Sequence, residues 1–388
     1  MSQPLSEIVD RADTLYNDID LAQVRATKER TGHRAVGYMP IYVPREVVHA
    51  AAILPVGLMG AGDRIEVIRG DAYFQSYICQ IPRSTIELAL TGRLDCLDGC
   101  LFPSICDVIR NLSGMWQLLF PGKYTRYVDV PQNYERAVGG RYWEEELRHL
   151  ARDMGELSGH AVRDDELRAS IDVYNRNRRL LGELYRLRAE EPWRVPTWEA
   201  YLVVRAGNVL PVEEHSRMLE DYLAAARSAD RPPRDQSRVV VVGSFCEQPP
   251  LGLLKTLERA GCFIVGDDLV LGARWIEGDV SLEGDPFRAL SDAFLTRSVS
   301  TASRYEATAP KGQSLISTVR RTHAEGVVFC APSFCDPALL EQPMLEQALD
   351  REGIPYTAFK YAENLGQFQV IREQAGTFAD SIKLWSEP

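Results

Sequence analysis

The run from Arg238 to Gly243, four consecutive valines closed by a glycine, constrains this chain more than any other segment. A strand with one wet face alternates apolar and polar residues, so unbroken β-branched residues read as a strand buried on both faces, in a parallel sheet covered by helices. The breaker cluster Arg231 to Gln236, with Pro232 and Pro233, separates it from what comes before. Beyond it the pattern alternates. A helix is expected over Pro250 to Ala260, a strand over Cys262 to Gly266, a helix near Leu315 to Glu325 and a strand over Gly326 to Cys330. A helix from Asp336, a strand over Pro355 to Phe359 and a terminal helix over Gln367 to Trp385 complete the set.

The first third of the chain carries the same alternation. Leu5, Ile8, Val9, Ala12, Leu15, Tyr16 and Ile19 recur at helical spacing, so the first thirty residues read as an amphipathic helix. Ala35 to Pro40 reads as a short buried strand, and Pro44 opens a helix that ends at Leu54 and Pro55. Arg64 to Arg69 is expected as a strand, Ser84 to Leu90 as a helix, Leu94 to Cys100 as a strand edge and Ser104 to Leu119 as a helix. From Tyr134 to about Ala229 the pattern is helical and charge-rich. The expected fold class is α/β, with two Rossmann- or flavodoxin-like lobes on parallel sheets, an N-terminal helix and a helical middle segment. The boundaries fall at 1–30 for the helical arm, 31–133 for the first lobe, 134–232 for the connecting helices and 233–388 for the second lobe.

With 388 residues, 45% of them hydrophobic, the chain is long enough for two cores. A formal net charge of −11 argues against nucleic acid as the main partner, because phosphate binding needs clustered Lys and Arg. The first ten residues lack the pattern of a signal peptide and no apolar run approaches the length of a membrane span, so a cytoplasmic protein is expected. In that compartment the eight cysteines read as metal ligands, redox groups or packing residues rather than disulfides.

Three of them stand out. Cys335 follows the strand ending near Cys330 and precedes a helix-opening Asp336-Pro337, which puts it beyond the carboxyl end of a strand, where α/β sheets gather functional groups. Cys106 occupies the equivalent place in the first half, at a helix start whose amides favour a thiolate. Cys79 lies in the loop before the Ser84 to Leu90 helix. Thiolates from two lobes could hold an iron-sulfur cluster in the cleft with one iron left open. Packing is the alternative for each, since buried free cysteine is common. A local set of Cys96, Cys100 and Cys106 is a rival ligand group, although Cys96 falls in the presumed strand. Cys246 and Cys262, with no partner spacing, read as packing residues.

Other signatures are missing. Gly122-Lys123 has Gln117 where a phosphate-binding loop needs its first glycine and Tyr124 where it needs Ser or Thr, and no G-x-G-x-x-G follows the valine run. The histidines His33, His49, His149, His160, His215 and His323 show no metal-binding spacing and read as surface or cap residues. No serine nucleophile elbow occurs.

The stretch from Pro44 to Gly57, the Cys79 context from Tyr77 to Ser84, and Cys100 to Asp107 with Arg110 resemble the 2-hydroxyacyl-CoA dehydratase and benzoyl-CoA reductase superfamily. Gly261 and Gly266 with Asp267-Asp268, Phe334 to Pro337, and Gln367 with Arg372 extend the resemblance over nearly the whole chain. Within it the chain is most similar to the smaller cluster-carrying subunits of ATP-dependent benzoyl-CoA reductases. The resemblance implies a [4Fe-4S] cluster held by Cys79, Cys106 and Cys335. It also implies a homologous larger cluster-binding subunit and a separate ATPase activator pair fed by ferredoxin, which fits the missing phosphate loop. The activity implied is reduction of the aromatic ring of benzoyl-CoA to a cyclic diene in anaerobic aromatic catabolism. The alternatives are a subunit of a 2-hydroxyacyl-CoA dehydratase, hence a lyase, and a non-catalytic cluster carrier. For the adenosine phosphates of a CoA thioester, Arg176, Arg178 and Arg179 offer a basic surface, or simply a solvated helix face.

Overall fold

Two parallel four-stranded sheets organise the protein, and they have the same strand order. The computed structural model describes residues 4–246, 248–304, 310–362 and 368–385, so Gln367 lies outside the described residues. Helices α1 (Leu5–Asn17) and α2 (Ala22–Thr31) precede β1 (Arg34–Tyr38), α3 (Arg45–Ala50), β2 (Ile53–Gly57) and α4 (Gln80–Leu90). The first sheet is completed by β3 (Gly99–Pro103), α5 (Asp107–Leu119) and β4 (Tyr124–Val128), in the order β2-β1-β3-β4. Four helices follow: α6 (Arg141–Ser158), α7 (Asp164–Glu190), α8 (Thr197–Ala206) and α9 (Val212–Ser228). The second lobe runs β5 (Ser237–Val242), α10 (Leu251–Arg259), β6 (Cys262–Asp267), α11 (Pro286–Arg297), α12 (Gln313–Arg321) and β7 (Gly326–Pro332). It ends with α13 (Asp336–Glu352), β8 (Tyr356–Tyr361) and α14 (Gln369–Trp385), and its strands lie in the order β6-β5-β7-β8.

The valine run does what its composition demands. Val239 and Val241 point into the main core, while Val240 points the other way, into a smaller core with Val327, Phe329, Leu315, Val319 and Leu349. The main core is continuous between the lobes, joining Val36 and Leu101 of the first sheet to Val239 and Cys330 of the second. Among the described residues no helix is long and apolar enough to cross a membrane.

Several expected elements are redrawn. The N-terminal helix is broken into two, because the Asp18 carboxylate accepts the amides of Ala22 and Gln23 and starts a new helix after Leu21, whose φ is 53°. Arg64 to Arg69 is irregular rather than a strand. The amides of Ile68 and Gly70 donate to the buried Glu87 carboxylate at 3.0 and 2.7 Å instead of to a neighbouring strand. Leu94 to Cys96 is a succession of turns, and the strand begins only at Gly99. The Pro44 helix stops at Ala50, and Leu54-Pro55 belongs to β2, an edge strand where a residue without an N–H is tolerated. His215 is buried, not a surface residue: Nε2 donates to the Val203 carbonyl at 3.0 Å and Nδ1 accepts from Asn177 at 3.1 Å.

The two lobes are held by α7. Near its middle, Arg178 pairs with Glu46 of α3, side chains 7% and 4% exposed. Near its end, Arg188 pairs with Asp267 of β6, side chains 2% and 0% exposed. Tyr185 of the same helix donates to Asp267 at 3.0 Å, and Arg274 completes the set at 2.7 Å. Between these pairs and the sheets, the backbone of one lobe meets that of the other. A Cβ on Gly272 would lie 2.0 Å from the Pro40 carbonyl oxygen, so only glycine fits there. Arg45 of α3 closes the same seam by donating to the Ala273 carbonyl at 3.0 Å.

Burial alone would raise the Asp267 pKa, but Arg188 and Arg274 outweigh it and hold the group below the ordinary carboxylate value. Asp267→Asn leaves two buried arginines without their counter-charge, and urea unfolding should show a loss of about 3–5 kcal/mol. Burial lowers the pKa of His215 to about 4 against the partial support of the Val203 carbonyl. The unfolded chain therefore takes up this proton near 6.5 while the folded chain resists it, and stability falls as the pH drops through that window. Between pH 7 and pH 5 the loss from His215 should be roughly 2 kcal/mol, and the pH dependence of urea unfolding in His215→Gln should lack it.

Candidate metal centre

All three singled-out cysteines occupy the same kind of position: each is the residue that caps the N-terminus of a helix. Cys79 precedes α4, Cys106 precedes α5 and Cys335 precedes α13. Helix N-termini present unpaired amides and the positive end of the peptide dipole, which favour an anionic ligand. At Cys106 the effect is resolved. Burial raises its pKa, and the amides of Ile109 and Val108 work in the opposite direction but do not cancel it. Without a metal to take the sulfur, the Cys106 proton therefore stays on longer than its position at a helix start suggests.

The loops that carry Cys106 and Cys335 are built alike. Each follows the third strand of its sheet and reads Pro-Ser-x-Cys-Asp, from Pro103 to Asp107 and from Pro332 to Asp336. In each, the serine amide crosses to the end of the neighbouring edge strand: Ser104 to the Val128 carbonyl at 2.9 Å and Ser333 to the Tyr361 carbonyl at 2.8 Å. This repeat was available in the sequence as a signal that the two sites are equivalent.

A fourth cysteine joins them. Cys246, expected as a packing residue, lies in the loop after β5, and its Sγ is 3.8 Å from Sγ of Cys335. Strands β5 and β7 are neighbours at the centre of the second sheet, with the chain leaving them in opposite directions, which is where open α/β sheets form a crevice. The hydrogen bond with Cys335 and burial raise the Cys246 pKa, and like charge from Cys335, Cys106 and Cys79 raises it further. No sequence spacing announces Cys246, because its neighbour in space is 89 residues away along the chain.

The remaining cysteines face elsewhere. Cys100 in β3 and Cys330 in β7 are wholly buried, and burial pushes both thiols up. Cys262 begins β6 in the core, with its pKa raised to about 12 by burial. Cys96 sits in the turns after α4, buried, its carbonyl accepting from Lys28. Cys96 and Cys100 of the rival set are thus both buried. Of the basic run, Arg178 is buried against Glu46, while Arg176 and Arg179 lie exposed in surface ion pairs with Glu220 and Asp279.

Cysteine thiols at three helix N-termini are donors of the kind an anionic iron-sulfur cluster takes. Among the described residues no three His, Cys, Asp or Glu side chains form a group that could hold a metal ion.

Two parallel sheets of equal strand order, joined through one continuous core, define a two-lobed α/β protein in which Cys106 and Cys335 take corresponding places beyond the third strand of each sheet. The chain belongs to the 2-hydroxyglutaryl-CoA dehydratase D-component family, which it matches over residues 40–382. It is 58% identical to a benzoyl-CoA reductase subunit of Thauera aromatica, over 98% of this chain and 99% of that one. It is 29% identical to the beta subunit of (R)-2-hydroxyglutaryl-CoA dehydratase of Acidaminococcus fermentans, over 90% and 93% of the two chains. With the (R)-phenyllactyl-CoA dehydratase beta subunit of Clostridium sporogenes the identity is 24%, over 96% and 100%.

Replacing any of Cys79, Cys106 or Cys335 by alanine should sharply lower bound iron and acid-labile sulfide in anaerobically purified protein, whereas Cys96→Ala should leave both unchanged. Elemental analysis of the four variants side by side makes the comparison.

Proposed function

We propose that this chain is the smaller cluster-binding subunit of an ATP-dependent benzoyl-CoA reductase, an oxidoreductase that reduces the aromatic ring of a CoA thioester to a cyclic diene. The observation that carries this reading is the 58% identity to the Thauera aromatica benzoyl-CoA reductase subunit over nearly the full length of both chains. The dehydratase beta subunits share the family at 24% and 29% identity, and a lyase is the weaker reading.

In this reading Cys79, Cys106 and Cys335 hold a [4Fe-4S] cluster. When bound, it supplies the low-potential electrons that ring reduction requires. The chain's own contribution is placement. Helix N-termini offset the negative charge of the thiolates, and the loops after β3 and β7 are tied down by their cross-strand serine amides. Tyr77 and Phe334, 62% and 46% exposed, lie two residues before Cys79 and one before Cys335 and give the site an apolar rim. Such a rim suits contact with a homologous larger subunit, which would also keep water from the site.

The chain has no phosphate-binding loop, so ATP-driven electron delivery falls to separate activator subunits with ferredoxin as the source. Arg178 is taken by the buried pair with Glu46, so on that stretch of α7 only the exposed Arg176 and Arg179 could meet the adenosine phosphates of the thioester. A cytoplasmic, oxygen-free setting follows from the chemistry.

The test is anaerobic copurification with the partner subunit and the ATPase pair, followed by parallel assays on benzoyl-CoA and on 2-hydroxyacyl-CoA thioesters. The expected result is ATP-dependent loss of benzoyl-CoA with formation of the diene thioester. Dehydration of a 2-hydroxyacyl-CoA with no diene from benzoyl-CoA would overturn the assignment in favour of the lyase.

A further inference from the structure

We propose that Cys246 is a fourth ligand of this centre, so that its cluster is held by four thiolates, two from each lobe, and presents no open iron. The inference rests on the reading that Cys79, Cys106 and Cys335 bind a cluster, and it changes what that cluster can do. An iron with three sulfide neighbours and a protein thiolate has no free position for a substrate oxygen. This subunit's cluster would then exchange electrons without binding the thioester.

Three observations support it independently. The first is position. Cys246 leaves β5 and Cys335 leaves β7, the two central strands of the second sheet, and their sulfurs are 3.8 Å apart. A sulfur in contact with one ligand of a cluster can be carried to a neighbouring corner of the same group by a change of side-chain rotamer.

The second is that the loop carrying Cys246 is built to hold it. Gly243 adopts φ 108° and packs against the Cys330 carbonyl carbon, where a Cβ would lie at 3.3 Å. The Asp268 carboxylate accepts the amides of Gly243 at 2.6 Å and Ser244 at 3.1 Å. Ser244 Oγ donates to the Cys330 carbonyl at 2.6 Å. Gln248 spans the loop from the far side, with Nε2 donating to the Ser244 carbonyl at 3.1 Å and Oε1 accepting from the Val270 amide at 2.9 Å. Phe245, 2% exposed, anchors the residue before the cysteine in the core. These contacts fix the backbone leading into Cys246 while leaving its side chain half-buried at the site.

The third is symmetry of supply. The first lobe contributes Cys79 and Cys106, and the second contributes Cys335. With Cys246 the second lobe also contributes two, from the loop after β5 and the loop after β7. A cubane has four corners, and four cysteines, two from each lobe, match that number.

The competing role for Cys246 is that of a hydrogen-bond donor to the Cys335 sulfur, which would tune the cluster without ligating it. Mössbauer spectroscopy separates the two, because a changed ligand alters one iron of the four while a lost hydrogen bond shifts the whole cluster slightly. The complex with the partner subunit is prepared with Mössbauer-active iron in the wild-type, Cys246→Ala and Cys246→Ser forms, and difference spectra isolate this subunit's cluster. The expected result is a distinct iron site in both variants, oxygen-ligated in Cys246→Ser, that wild type lacks. Mild oxidation should convert the Cys246→Ala cluster to a three-iron form visible by electron paramagnetic resonance, while wild type resists. Variant spectra indistinguishable from wild type, with equal resistance to oxidation, would overturn the proposal and leave the cluster reading intact. Iron and sulfide content unaffected by Cys335→Ala would overturn the cluster reading and this inference with it.

Discussion

The long helix α7 fixes the relation on which everything else in this protein depends. It pairs one buried arginine with the first lobe, Arg178 to Glu46, and another with the second, Arg188 to Asp267. Buried ion pairs add little net stability compared with well-packed apolar residues, but they are intolerant of misplacement, since a shift strands a charge in a low-dielectric interior. Two such pairs on one rigid rod set the spacing and rotation of the lobes together. Any group shared by cysteines at the strand ends of the two sheets would depend on that spacing.

Much of this was legible in the chain. The valine run from Val239 to Val242 reports burial on both faces, and the structure divides those residues between two cores. Most helices of the second half and of the middle segment fall where apolar periodicity puts them. Strand β2 was hidden because Pro55 reads as a breaker, and only its place at the sheet edge makes proline acceptable. Strand β4 was hidden for a related reason. Tyr124 to Tyr127 are only half-buried at the other edge, so no run of buried residues marks them. The false strand at Arg64 to Arg69 failed because its amides are claimed by the Glu87 side chain, a contact that no local pattern encodes.

The site shows the same division. Cys79, Cys106 and Cys335 were visible because each stands just ahead of a helix, and the structure makes each an N-terminal cap. Cys246 has no helix immediately behind it, and its contact with Cys335 depends on a strand pairing between β5 and β7 that places distant loops side by side. The basic run on α7 divides: Arg178 is buried against a carboxylate of α3 that is remote in sequence, while Arg176 and Arg179 stay exposed.

The seam where Gly272 meets the Pro40 carbonyl bears on the electron transfer proposed above. Backbone resting on backbone leaves no side-chain layer to compress there, which resists closing or sliding of the lobes at that point. For the cluster proposed between them, a stiff frame would limit rearrangement on gaining or losing an electron. Little rearrangement means a low barrier for a given driving force. The glycine that permits the seam would then serve that transfer alongside the proposed cysteine ligands.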